Sequence, residues 1–175
     1  MIITENMPLL PGRVGLPGPG QTRAAGARIG LALREEQPGS FLVTLEGPLG
    51  AGKTTLCQGL AEALGASPGE AVSPTFTLCN VYRAQRPIFH LDLYRLDPGR
   101  AAEEFVGAGL EECLDGLCLV EWPERLARGF WPDERLELIF EPQGAGRILS
   151  ARGTSPAAAR IWRAATIAAG DDGQE

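Results

Sequence analysis

The run Gly47-Pro48-Leu49-Gly50-Ala51-Gly52-Lys53-Thr54-Thr55 constrains this 175-residue chain more than any other segment. Its first eight residues fit G-x-x-x-x-G-K-[ST], the pattern of a phosphate-binding loop. Glycines at 47, 50 and 52 let the backbone curl until successive N–H groups face one concavity sized for phosphate oxygens. Lys53 then reaches the outer phosphates, and Thr54 offers a hydroxyl to Mg²⁺. Lys53 is also the only lysine among 16 basic side chains. A compact ammonium fits between phosphates where a planar guanidinium wants bidentate partners, so the one lysine stands where arginine serves worst.

The flanks supply the context such a loop needs. Phe41 to Leu45 reads as a short apolar strand, and Leu56, Leu60 and Leu64 recur at helical spacing before Gly65, a C-terminal cap. Strand, loop and helix N-terminus follow in order, and the helix dipole reinforces anion binding at the loop.

With 44% hydrophobic residues, the chain is long enough for one well-buried domain, expected over 21–150 between a leader (1–20) and an alanine-rich, partly helical tail (151–175). A net charge of −6 argues against a broad basic surface for nucleic acid, so any link to RNA runs through a partner. Cys57, Cys79, Cys113 and Cys118 show no C-x-x-C spacing and read as reduced core thiols. No stretch of about 18 apolar residues and no secretory signal is seen, which makes the expected location cytoplasmic, off the membrane.

Four prolines among four glycines in residues 1–20 predict a segment without regular structure. A helix is expected over Thr22 to Leu33, and extended segments over Thr77 to Tyr82 and Ile88 to Leu93 form a hairpin. Short helices follow at Ala101 to Val106 and Leu110 to Leu114. Leu117 to Val120 is a fully apolar strand suited to the middle of a parallel sheet, whereas the alternation at Leu136, Leu138 and Phe140 places that strand towards an edge.

Two strand ends carry acids. Glu121 directly follows Leu117 to Val120, the arrangement of a carboxylate that holds Mg²⁺ at the mouth of a parallel sheet. Asp92 closes the run from Ile88 and serves either the metal or an attacking water. Ser73 to Thr77, with Thr75 at its centre, reads on composition as a turn, and His90 as a satisfied structural residue. Trp122 stands evenly between stacking on a base and packing.

Together, GPLGAGKTT (47–55), SPTFTL (73–78), HLDLYRL (90–96) and VEWPER (120–125) resemble the TsaE (YjeE) family, the ATPase of bacterial tRNA threonylcarbamoyladenosine synthesis, over about Leu16 to Leu149. The resemblance implies an α/β P-loop NTPase fold with a mixed, largely parallel sheet between helices. It implies Mg²⁺-dependent ATP hydrolysis in complex with the threonylcarbamoyl-transfer subunit (TsaD) and its paralogue (TsaB), resetting the complex between turnovers, with tRNA met only indirectly. It places the phosphates on Gly50, Ala51, Gly52, Lys53 and Thr54, within a nucleotide-binding loop that also takes in Gly47 and Thr55, and Mg²⁺ on Thr54 and Glu121. Thr75 falls in its first switch and Asp92 in its second, where the expected role is to orient water. Trp122 matches a tryptophan near the nucleotide, and Arg147 a nucleotide-contacting arginine. Val81 stands where the family has an acid, and the stretch from Pro17 to Gln21 lacks the polar residues from which an adenine contact would carry over.

Two other readings fit a phosphate-binding loop: a small-molecule kinase and a nucleotide-dependent binding module without turnover. Residues 97–116 hold only Arg100 among many acids, a poor lid for phosphoryl transfer to an acceptor.

Overall fold

The structure, a computed structural model, describes residues 7–70, 74, 77–153 and 155–170. Its centre is a mixed seven-stranded sheet, mostly parallel, between two layers of helix. The strands are β1 (Val14–Leu16), β2 (Phe41–Glu46), β3 (Cys79–Tyr82), β4 (Ile88–Asp92), β5 (Leu117–Glu121), β6 (Arg135–Gln143) and β7 (Gly146–Gly153), in the order β1-β7-β6-β2-β5-β4-β3. β4, β5, β2 and β6 run parallel; β7 is antiparallel to β6, β1 to β7 and β3 to β4.

Strand periodicity divides the core in two. Phe41, Val43 and Leu45 of β2 face α1 (Pro19–Glu36), α2 (Lys53–Ala63) and α4 (Pro156–Gly170), while Leu42 faces α3 (Ala101–Gly107) and the 3₁₀ turn Leu110–Asp115 on the other side. Val43, Leu45, Leu117 and Leu119 are wholly inaccessible, each burial contributing about 1.5–3 kcal/mol. Strands covered on both faces read as continuous apolar runs, and β5 lies between β2 and β4 as Leu117 to Val120 predicts.

The start of the chain departs from expectation. Val14–Leu16 pairs with β7, α1 begins at Pro19 rather than Thr22, and Leu10 N–H donates to Ala151 O at 2.8 Å. Prolines cannot donate to a ladder, but between them this segment has enough N–H groups to cover the open edge of β7. Proline at the first turn of α1 loses no helical hydrogen bond. The C-terminal helix is present, its Ser155 Oγ accepting from Ala158 N–H at 3.0 Å. Ile161, Trp162 and Ala165 belong to the same core as β2, and the Trp162 indole donates to Pro11 O.

β6 is not near an edge: β7 and β1 lie outside it. Its polar alternation survives in the interior because Arg135 and Glu137 pair with each other at 2.9 Å and Arg128 donates to Glu137 at 2.7 Å. β6 and β7 are joined by a tight hairpin turn at Gly144 and Ala145, with Gln143 paired to Gly146. The four cysteines are free, with Cys79 and Cys113 sulfurs 3.8 Å apart and burial pushing the Cys79 thiol up to about 12.

Candidate functional site

Four chain segments converge at the C-terminal ends of the parallel strands. β2 ends at Glu46, residues 47–52 curl back, and α2 begins at Lys53. Gly50 (φ 74°) and Gly52 (φ 102°) hold the left-handed geometry the curl requires, and a Cβ on Gly52 would also press on the Thr22 methyl at 3.1 Å. The first-turn N–H groups of α2 lack intrahelical partners, so this end of the helix favours an anion.

Lys53 is buried, with 4% exposure, and its ammonium donates to Gly47 O at 2.7 Å and Pro48 O at 3.0 Å. It also lies 3.8 Å from the centroid of the Trp122 ring. Burial lowers its pKa, against the opposing pull of Glu121, Glu124 and Asp92. Its hydrogen-bond partners are neutral carbonyls, so an anion entering the loop gains a charged donor.

β4 and β5 lie in parallel register, which pairs Asp92 with Glu121 at the strand ends. Both acids are buried, at 5% and 3%. Glu121 Oε1 accepts from Thr54 Oγ1 at 2.8 Å, and Asp92 Oδ1 accepts from Tyr94 N–H at 3.1 Å. A hydroxyl and carboxylates presented together form a hard oxygen donor set that fits Mg²⁺.

Trp122 turns sharply out of β5. Its φ of 61° is an outlier for a bulky residue, and more so before Pro123, which disfavours that conformation. The turn lays the indole over Lys53 and against Tyr94, with ring centroids 4.8 Å apart. Residues 49–55 with Asp92, Tyr94, Glu121 and Trp122 enclose a cavity of about 350 Å³. A second hollow of about 240 Å³ lies across the loop, between Leu16–Pro19, Thr22 and Ala145.

The sequence-predicted residues therefore gather in one place: Gly47, Gly50, Ala51, Gly52, Lys53, Thr54, Thr55, Asp92, Glu121 and Trp122 lie in the loop or line the larger cavity. Arg147 sits apart, on the second hollow, donating to Gly50 O at 3.1 Å. Thr75 lies outside the described residues. Val81 is 54% exposed on β3, at the sheet edge.

His90 was expected to be structural, and both its ring nitrogens are indeed engaged. One of its partners is Glu121 Oε1, 2.9 Å from Nε2; the other is the Tyr82 hydroxyl, 2.6 Å from Nδ1. The signal for this was the spacing of His90 and Asp92, which a strand's two-residue period puts on one face. Cys57, His90 and Glu121 present ligand-type atoms within 4.8 Å of one another. Burial pushes the Cys57 thiol well above its usual range, which keeps it protonated. Pro17 to Pro19 line the second hollow.

Residues 16–149 match the family model described as threonylcarbamoyl adenosine biosynthesis protein TsaE. Curated relatives bear the name tRNA threonylcarbamoyladenosine biosynthesis protein TsaE. The one from Nostoc sp. is 44% identical over 105 residues, 56% of this chain and 62% of the relative. The one from Bacillus subtilis is 40% identical over 111 residues, 62% and 65% of the two. That from Mycobacterium tuberculosis is 38% identical over 124 residues, 66% and 71%. The chain thus spans just under two thirds of the length of the first of these. The crystal structure of Bacillus subtilis YdiB superposes with a TM-score of 0.69 at 26% identity, covering 94% of this chain and 99% of that one.

Proposed function

The chain belongs to the TsaE family of threonylcarbamoyladenosine biosynthesis proteins, and from that premise we propose that it is a Mg²⁺-dependent ATPase serving as accessory subunit of the tRNA-modifying complex. The observation that carries the reading is the convergence of Lys53, Thr54, Asp92 and Glu121 around a glycine loop at the ends of parallel strands. Fold alone names no reaction, whereas this set has one donor or acceptor for each need of phosphoryl transfer to water.

The phosphates lie along residues 47–55, with backbone N–H groups and Lys53 offsetting their charge. Thr54 and Glu121 would hold Mg²⁺, whose charge when bound offsets that on the β- and γ-phosphates. Asp92 orients a water in line with the γ-phosphorus and takes its proton as the new P–O bond forms and the bond to the ADP oxygen breaks. Arg147 and Pro17 to Pro19, across the loop, offer the hollow for the nucleoside, while Trp122 and Tyr94 wall the cavity that holds the phosphates. Thr75 senses the γ-phosphate from the first switch.

Partner proteins are the threonylcarbamoyl-transfer subunit, TsaD, and its paralogue, TsaB, with hydrolysis resetting the complex between turnovers. The chain's acidity leaves contact with tRNA to those partners. Turnover measured with and without the two partners tests the reading. Slow hydrolysis that rises when they are added supports it; hydrolysis unchanged by them counts against it.

A further inference from the structure

Glu121 does not stand alone behind the loop. Its Oε1 accepts from Thr54 on one side and meets His90 Nε2 on the other; His90 is wholly buried and lies between Glu121 and the Tyr82 hydroxyl. We propose that His90 is the positioning residue that fixes the Glu121 carboxylate for Mg²⁺, and that Tyr82 sets the imidazole tautomer that lets it do so. The inference rests on the reading of Glu121 as the metal-holding carboxylate.

The direction of each hydrogen bond follows from what the groups can do. An ionised carboxylate only accepts, so Nε2 carries the proton and donates to Glu121. In the neutral imidazole Nδ1 is then bare and accepts from the Tyr82 hydroxyl at 2.6 Å. Burial raises the Tyr82 pKa, which keeps its hydroxyl protonated as a donor. The donors run one way, from Tyr82 through His90 to Glu121.

This arrangement does what a partner behind a metal ligand does: it removes the carboxylate's rotational freedom and uses one oxygen's lone pairs so that the other faces the cation. Topology makes it possible. β4 lies between β3 and β5, so the His90 side chain can join the Tyr82 hydroxyl on one side to the Glu121 carboxylate on the other.

His90 is the only histidine in the chain, so ¹⁵N-histidine NMR of untagged protein reads one ring. The expected spectrum is a neutral imidazole protonated at Nε2. A ring protonated at Nδ1, or at both nitrogens at pH 7.5, overturns the proposal. The second readout is ATP binding as a function of Mg²⁺. His90→Leu should raise the Mg²⁺ concentration for half-maximal effect about 10-fold or more, the scale for a lost partner behind a metal ligand. Its metal-free ATP affinity should stay within about two-fold. His90→Gln, whose amide reaches the Nε2 position, should recover most of the loss, and Tyr82→Phe should fall between. A Gln variant no better than Leu, or equal losses with and without metal, makes His90 merely structural. Glu121→Gln separates the premises. If it shifts the Mg²⁺ dependence and no His90 or Tyr82 variant does, only this inference falls; if it does not, the reading of Glu121 falls as well.

Discussion

Asp92 and Glu121 are register partners on adjacent parallel strands, yet their surroundings differ: Glu121 is bonded by Thr54 and His90, while Asp92 accepts the Tyr94 N–H and borders the cavity. On the function proposed above, Glu121 holds the metal and Asp92 orients the attacking water. Asp92→Asn should therefore bind MgATP within about two-fold of wild type and lose hydrolysis by about 100-fold or more, the usual scale of a lost base. Single-turnover hydrolysis beside an ATP-binding titration checks this, and turnover at the wild-type rate removes Asp92 from the reaction.

Lys53 and the α-amino group are the only primary amines to be expected in the chain, so acylation by a small amine reagent, located by mass spectrometry, reports on one internal site. Burial lowers the Lys53 pKa and the surrounding acids oppose it. At a given pH more of the amine is neutral than in a free lysine, and its labelling rate should rise with pH through a midpoint below 10.5. Glu121→Gln removes an opposing charge and should lower that midpoint further. The sign for stability matches: the folded chain gives up this proton at a lower pH than the unfolded one, so the cost of burying the charge is relieved as pH rises past the folded value. MgATP should protect the amine; labelling indifferent to nucleotide contradicts a phosphate role for Lys53.

The loop, β2, α2 and β5 were legible because their side chains are specified by local rules: glycine where φ is positive, apolar runs where both faces are covered. The hairpin of β3 and β4 was legible for another reason, two short β-forming runs separated by the polar link from Arg83 to Arg86. β7 was not, since Gly146 to Gly153 mixes Arg147, Ser150 and Arg152 with apolar residues and reads as no period. β1 was hidden by the prolines that flank it, and the interior place of β6 by charges that only the fold pairs. In the candidate site, the motif alone gives the residues of the glycine loop. His90 was seen but underweighted, because its value lies in a contact with Glu121 across two strands, and spacing within one strand does not reveal what the next strand presents.

The crossing of α1 and α2 depends on glycines that no motif marks. A Cβ on Gly26 would stand 2.0 Å from Leu56 O, and one on Gly59 2.0 Å from Arg23 O, both backbone atoms that cannot swing aside. Gly26→Ala or Gly59→Ala should cost about 3 kcal/mol, at the upper end of ordinary overpacking. Gly20 is also helical, but nothing lies within 4 Å of its Cβ position. Gly20→Ala should instead stabilise by roughly 0.5 kcal/mol, through the freedom glycine loses on folding. Urea denaturation of the three variants tests the contrast, and a Gly26→Ala chain as stable as wild type would falsify the close crossing.

Arg135 is nearly inaccessible, and its charge is met by Glu137 at 2.9 Å and by the carbonyls of Trp131 and Pro132. Glu137 is shared with Arg128, which is partly exposed. Removing the carboxylate leaves a buried guanidinium without its counter-charge, so Glu137→Gln should destabilise by about 3 kcal/mol. Removing Arg135 is milder, because Glu137 keeps Arg128. Arg135→Met with Glu137→Leu should recover most of the loss, since two apolar side chains of similar volume replace two desolvated charges. A double-mutant cycle from urea midpoints at pH 7 measures the coupling. Independent, additive effects would mean that the pair does not hold β6 inside the sheet, and that the apolar residues at 136, 138 and 140 are enough to keep it there.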